Sequence, residues 1–352
     1  MNIREQLENK ERRILSPHAA LSSESKGRVI ADELCTVRTV FQHDRDRILH
    51  SKAFRRLKHK TQVFFSPEGD HYRTRLTHTL EVSQVARTVA RALSLNEDLT
   101  EAIALGHDLG HTPFGHAGEK VLQDLVPGGF RHVEQSLRVV AVLERDGRGL
   151  NLTREVCDGI LTHSKGRGPL VAPDPQSTAM TLEGQIVRLA DIIAYVNHDL
   201  DDAVRGGLIS EDELPARLVS VVGKTHSGRI GRMVRDLIEC SLAADGARIC
   251  LSVEMDEAIC DLRNWLFKKV YQVDHVHADF IKASRLLREL YRYYQDNETV
   301  FLAHGGRRRP GDALDVSIAD FIAGMTDRFA LALYYKIFLP RPWRPQEGPV
   351  SD

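Results

Sequence analysis

His107-Asp108-Leu109-Gly110-His111-Thr112-Pro113-Phe114-Gly115-His116-Ala117-Gly118-Glu119 sets three histidines, an aspartate and a glutamate within thirteen residues. Residues 99–105 just before it read as a helical run that brings Ile103 and His107 onto one face at i, i+4. Neutral imidazole and carboxylate suit a divalent cation, and His107 with Asp108 offers one of each from adjacent positions. Gly110, Pro113, Gly115 and Gly118 interrupt regular structure, which puts His111, His116 and Glu119 on a turning segment over that ion. The plain alternative is a polar loop whose histidines bond backbone carbonyls. For a single histidine it would prevail; five such groups together reverse the balance.

The rest of the chain fits a helical protein around this segment. Its 352 residues are 42% hydrophobic and 28% charged, an ordinary globular composition, and allow one large domain or two. The formal net charge of -1 implies no general attraction to nucleic acid, so an anionic ligand must be held by local positive charge or metal. The opening MNIREQLENKERRIL is charged and lacks a signal-peptide core, and no apolar run reaches membrane-spanning length. Cys35, Cys157, Cys240, Cys250 and Cys260 form no CxxC pair and read as reduced thiols of a cytoplasmic protein.

Four divisions follow from composition and pattern: a polar surface arm at 1–27, a core at 28–205, a helical region at 206–339 packed on it, and a loose proline-rich tail at 340–352. Residues 38–65 predict a helix on Ile48, Phe54 and Leu57, whose other faces carry Arg45, Arg47, Lys52, Arg55, Arg56, Lys58 and Lys60. A solvated basic face is the plain reading of those charges. Residues 66–70 predict a turn. A helix from about His78 buries Val82, Val85, Val89 and Leu93, and His78, one turn before Val82, points inward, where it needs a partner or a metal. Another helix ends at His163, followed by a proline- and glycine-rich loop with Lys165 and Arg167 that suits a lid as well as a passive connection. From Thr181 a long helix buries Ile186, Leu189, Ala190, Ile193 and Val196. Its second stripe, Asp191, Tyr195 and Asp199, recurs every four residues toward one place. Residues 251–270, 283–294 and 316–337 predict further helices, with Tyr291, Tyr293 and Tyr294 as packing residues. Strand signals are sparse.

The segment at 107–119 resembles the signature of HD-domain deoxynucleoside triphosphate triphosphohydrolases, the dGTPase-like family. The likeness extends to the segment around Gln62, to Arg75-x-x-His78 and to Arg-Leu-Ala-Asp at 188–191, and covers roughly residues 16–339. No metal or catalytic position departs from the pattern. The resemblance implies an all-α HD-domain phosphohydrolase fold with additional C-terminal helices. It makes His78, His107, Asp108 and Asp191 the ligands of a divalent metal (Mg2+, Mn2+ or Fe2+). His116 and Glu119 are three apart and face the same way if that turn is helical, which makes them a candidate catalytic pair, with Glu119 orienting or tuning His116 as an acid/base or nucleophile-activating group and His111 between pair and ligands. Arg75 and His132 become phosphate-side groups, and Gln62, Tyr195 and Asp199 border the deoxyribose. Arg55 and His163 complete the substrate-binding candidates.

The reaction so implied is hydrolysis of a dNTP to deoxynucleoside and tripolyphosphate. The resemblance implies a homo-oligomer and admits a second, activating dNTP. Two rivals stand beside it. One is an HD-type phosphohydrolase for nucleoside monophosphates, cyclic nucleotides or alarmones, against which the Gln62, Tyr195 and Asp199 set argues. The other is a silent nucleotide-sensing oligomer, which has no need of His116 and Glu119.

Overall fold

The computed structural model describes residues 1–62, 73–164, 170, 178–271 and 274–340, with backbone alone at 274–277. The turn expected at 66–70, the loop residues Lys165 and Arg167, and residues 341–352 of the expected tail lie outside the described residues. The fold is all-α. In chain order the helices are α1 (Ile3–Ile14), α2 (Val40–Leu49), α3 (Lys52–Arg56), α4 (Arg75–Ala92), α5 (Glu97–Gly106) and α6 (Gly115–Leu125). There follow α7 (His132–Arg138), the single turn α8 (Glu144–Gly147), α9 (Arg154–Thr162), α10 (Leu182–Arg205), α11 (Ala216–Val222) and α12 (His226–Ala243). The chain closes with α13 (Val253–Leu266), α14 (Asp274–Asp296), α15 (Glu298–Ala303), α16 (Leu314–Ala323) and α17 (Asp327–Phe338). Among the described residues β pairing is limited to two isolated bridges, Arg28 with Thr153 and Thr61 with Thr74.

Helix starts follow local chemistry. Thr74 caps α4 through Thr77 N, Asn96 caps α5 through Leu99 N, and Thr181 caps α10 through Gly184 N. Glu97 and Asp98 add negative charge at the first turn of α5, where the helix dipole favours it. Capping also explains where single expected helices divide. Ser51 takes the Phe54 N–H and separates α2 from α3; Thr326 takes the Phe329 N–H and separates α16 from α17. Gly115 and Gly118, expected to interrupt structure, instead lie within α6.

Two apolar cores result. The larger is built from α2, α4, α5, α9 and α10 and continues into α11, α12 and α13, with Val82, Val89, Leu99, Ile103, Ile186, Ile193, Leu237 and Ile259 buried. Each such side chain contributes about 1.5–3 kcal/mol on burial. The second joins α6 to α14, α15, α16 and α17 through Phe114, Val121, Leu122, Leu290, Tyr291, Tyr294, Phe301 and Ile322. Residues 1–27 run along the larger core: Ser16 N donates to Ser94 O, Ala20 N to Glu183 and Lys26 N to Glu155.

Candidate functional site

The first core brings buried His78 from α4 and buried His107 and Asp108 from the end of α5 together with half-buried Asp191 from α10. His78 Nε2 lies 3.1 Å from Asp191 Oδ1 and 3.9 Å from Asp108 Oδ2. His107 Nε2 lies 3.4 Å from Asp108 Oδ1 and 3.8 Å from Asp191 Oδ1. His107 is fully buried and Asp108 only 3% exposed, so these charges are screened very little by water. Arg75 Nη1 pairs with Asp108 Oδ2 at 2.9 Å. Burial opposes ionisation of Asp108, yet His107, His111 and Arg75 hold it well below the usual carboxylate range. Burial likewise opposes protonation of His78, and the Asp191 bond with both carboxylates raises it nonetheless.

One detail tests whether a cation fits. His107 Nδ1 is 2.6 Å from the Ala104 carbonyl, so it carries the proton and donates there. Its Nε2 lone pair therefore faces two carboxylates, is buried, and has no hydrogen-bond partner. Metal-ligating imidazoles are held in this way, the other ring nitrogen donating its proton to a backbone carbonyl. His78, His107 and Asp108 offer ligand atoms within 4.8 Å of one another. The residues fit a divalent cation; their nitrogen and oxygen donors do not select among Mg2+, Mn2+ and Fe2+.

Beside the cluster stand the acid/base candidates. His111 Nε2 is 3.1 Å from Asp108 Oδ1, and its ring stacks on His132 with centroids 4.1 Å apart. Burial and Arg75 keep His111 neutral by lowering it well below the ordinary value. The approach depends on Gly110: a Cβ there would lie 2.1 Å from Ser136 N and 2.7 Å from His132 O, so only glycine lets α7 dock this closely. Glu119 Oε1 accepts from both His132 N and His132 Nδ1 at 2.8 Å, whereas its Oε2 is 3.8 Å from His116 Nδ1. Burial disfavours the Glu119 carboxylate, but the nearby His116 and the bonds from His132 outweigh it and keep it ionised. Glu119 is thus shared, with His132 as its nearer partner. His116 is the open member of the set, its side chain 78% exposed.

The α10 stripe continues from Asp191 through half-buried Tyr195 to buried Asp199. Asp199 Oδ2 accepts from the Tyr271 hydroxyl, while Oδ1 is buried without a partner. Burial pushes the Asp199 carboxyl up to about 7. Among the described residues Gln62 Oε1 is also buried and unpartnered. The Gln62 carbonyl and Arg75 Nη2 each come within 3.3 Å of where a Gly115 Cβ would stand. His163 is fixed by the Ile160 carbonyl at 2.7 Å, its ring 5.0 Å from His107 and 5.3 Å from His132. Arg55 is different: it is exposed on α3 and bonds none of these groups among the described residues.

Four participants escaped the sequence reading. Tyr271 orients Asp199, and Arg263 hydrogen-bonds Tyr195. His198 sits edge-on to His78 at 5.7 Å and stacks on His226 at 6.0 Å. The only sequence signal was for His198, which falls one residue before Asp199. Of the basic residues at 38–65, Arg45 pairs with Asp98 and Glu101, Arg47 with Asp32, and buried Lys60 bonds the His111 and Ala323 carbonyls. Those three are structural cations.

An all-helical core collecting histidine and aspartate from α4, α5 and α10 defines a phosphohydrolase of the HD class. Residues 75–196 match the HD domain and residues 249–336 the phosphohydrolase-associated domain. The chain is 56% identical over 350 residues to the deoxyguanosinetriphosphate triphosphohydrolase-like protein of Caldanaerobacter subterraneus subsp. tengcongensis, covering 97% of this chain and 98% of that one. It is 53% identical over 349 residues to the protein of that description from Desulfatibacillum aliphaticivorans, covering 97% and 99%. The chain belongs to the deoxyguanosinetriphosphate triphosphohydrolase-like family. A solved structure, a hypothetical protein from Aquifex aeolicus, matches at a TM-score of 0.46 and 16% identity over 83% of this chain and 68% of that one.

Proposed function

We propose that the protein hydrolyses deoxynucleoside triphosphates to deoxynucleoside and tripolyphosphate. The observation that carries this reading is the α10 stripe: Asp191 stands beside His78 and His107, and Tyr195 and Asp199 follow at four-residue intervals. Each four-residue interval rises about 6 Å along the axis. A sugar against Tyr195 and Asp199 therefore puts the first phosphate, not the third, beside the cluster. Asp199 Oδ1 and Gln62 Oε1, both buried and unpartnered, suit a 3′-hydroxyl. Tyr195 against the C2′ face leaves no room for a ribose hydroxyl, and sites that pair substrate hydroxyls discriminate strongly.

His78, His107, Asp108 and Asp191 would hold the divalent cation, which when bound polarises a phosphoryl oxygen and offsets developing charge. Arg75, already aimed at Asp108 and with its Nε buried and unpartnered, grips phosphate oxygens by charge-assisted bonds. His116, exposed and with Nδ1 3.8 Å from Glu119, gives a proton to the departing 5′-oxygen as water attacks the α-phosphorus. Glu119, anchored by His132, orients that imidazole. His111 and His163 stay neutral, the latter lowered to about 3 by burial; each gives its one N–H within the protein, His163 Nδ1 to the Ile160 carbonyl and His111 Nε2 to Asp108, and the remaining ring nitrogen of each is an acceptor.

A cytoplasmic site of action accords with five free cysteines, and no helix among the described residues is long and apolar enough to cross a membrane. Self-association is supported by exposed apolar side chains at Val29, Ile30 and Leu34. The test is product analysis over all dNTPs and NTPs with several divalent metals. Deoxynucleoside from dNTPs and no reaction with GTP are expected; equal hydrolysis of GTP and dGTP would remove the sugar-reading part.

A further inference from the structure

The cleft is carried on two apolar cores. The metal cluster stands on the first. Helix α6, with His116 and Glu119, has its apolar face in the second, where Phe114, Ala117, Val121 and Leu122 pack with α14 and α16. Apolar packing is not directional, so it does not by itself set α6 against Arg75 and Gln62 to the accuracy that chemistry needs. A polar junction supplies that direction.

Asp327, the first residue of α17, is 6% exposed, and both of its carboxylate oxygens are taken up by loops of the cleft. Oδ1 accepts from Phe114 N at 2.9 Å; Oδ2 accepts from Thr61 N at 2.8 Å and from the Thr61 hydroxyl. Next to it, buried Lys60 donates from Nζ to the carbonyls of His111 and of Ala323, the latter at 2.8 Å. Phe114 needs holding: it is a bulky residue in the left-handed region, at φ 62 and ψ 24, and is the residue from which α6 departs. Gly115, at φ +55, packs against the Gln62 carbonyl and Arg75. The two loops that share Asp327 therefore meet at the wall of the cleft.

We propose that Asp327 is a positioning residue for the catalytic half of the site. By binding Phe114 N and Thr61 N on one carboxylate, it fixes the start of α6, and so His116 and Glu119, against Gln62 and Arg75. The C-terminal helices thereby set the geometry of the reaction without touching substrate. This inference rests on the acid/base role given to His116 and Glu119 above.

The test compares full-length Asp327→Ala and Asp327→Asn with Leu333→Ala, which removes a buried apolar side chain from the same core. Steady-state kinetics with dGTP, metal content and amide hydrogen exchange are measured on each. Asp327→Ala should lower kcat by about tenfold or more with metal content unchanged, since about 1 Å of misplacement costs that much or more. Exchange at Thr61 and Phe114 should quicken, and Asp327→Asn, which keeps one acceptor oxygen, should fall between. Leu333→Ala should lower Tm while keeping kcat within about threefold of wild type. A wild-type kcat in Asp327→Ala, unchanged exchange at both amides, or an equal loss of kcat in Leu333→Ala overturns the proposal. Should Asp327→Ala not fold, Asp327→Asn decides: an unchanged kcat overturns. If wild-type protein hydrolyses no nucleotide, the functional reading fails separately, and exchange at the two amides still decides whether Asp327 holds the loops.

Discussion

At the scale of single residues, the groups proposed to bind metal are distinct from those proposed to move protons. His107 is fixed through Nδ1 by Ala104, and its free Nε2 faces Asp108 and Asp191. His107→Ala or Asp108→Ala should abolish activity and lose bound metal while the fold persists, as metal analysis and circular dichroism would read. Near-normal turnover with full metal in Asp108→Ala removes the assignment. His116→Ala and Glu119→Ala should instead lower turnover by about a hundredfold or more with metal retained. Because Glu119 bonds His132 and only approaches His116, the Glu119→Ala and His132→Ala losses should be far from additive in a double-mutant cycle. Independent losses would mean that the shared carboxylate does not couple them. The adjacent His-Asp pair and the inward His78 were legible in the sequence because local spacing and periodicity encode them. The preference of Glu119 for His132 was not, since it arises from the docking of α7 on α6 and its preceding loop.

At the scale of elements, helices were legible wherever apolar periodicity was strong, as in α4 and α10, and their ends wherever a hydroxyl or amide side chain caps. Breaks inside an apolar pattern were hidden, because Ser51 and Thr326 end one helix and begin the next without disturbing the periodicity. Gly110 was read as an interruption of regular structure, and its real requirement is space for α7. Gly110→Ala should therefore destabilise the fold by about 2–4 kcal/mol, in the range of overpacked cores and buried-network disruption. Denaturant unfolding checks this; a change below about 0.5 kcal/mol would show that α7 shifts without cost. Tyr271 and Arg263 had no local signal, because they reach Asp199 and Tyr195 from the far end of α13 and the turn after it.

At the scale of the whole molecule, long-range polar ties join segments that the sequence presents as separate. Glu183 at the start of α10 accepts from Ala20 N at 3.0 Å and Asn96 N at 2.9 Å, and its Oε2 is buried and unpartnered. Burial pushes its carboxyl from the ordinary 4.5 up to about 7. Between those values the unfolded chain ionises first and the native protein binds more protons, so this group's contribution falls as pH rises through that window. Glu183→Gln should abolish that loss, worth about 1–3 kcal/mol between pH 5 and 8 in urea unfolding; an unchanged pH slope would contradict it. The bond that is cleaved decides whether Asp191 and its neighbours act as the proposed metal cluster one turn from a sugar bound at Tyr195 and Asp199. Brief turnover of dGTP in water labelled with heavy oxygen, with chromatography and mass analysis of products, tests it most directly. Deoxyguanosine without label and tripolyphosphate carrying one heavy oxygen are the predicted products. Primary formation of dGMP with pyrophosphate, or of dGDP with phosphate, would contradict the account.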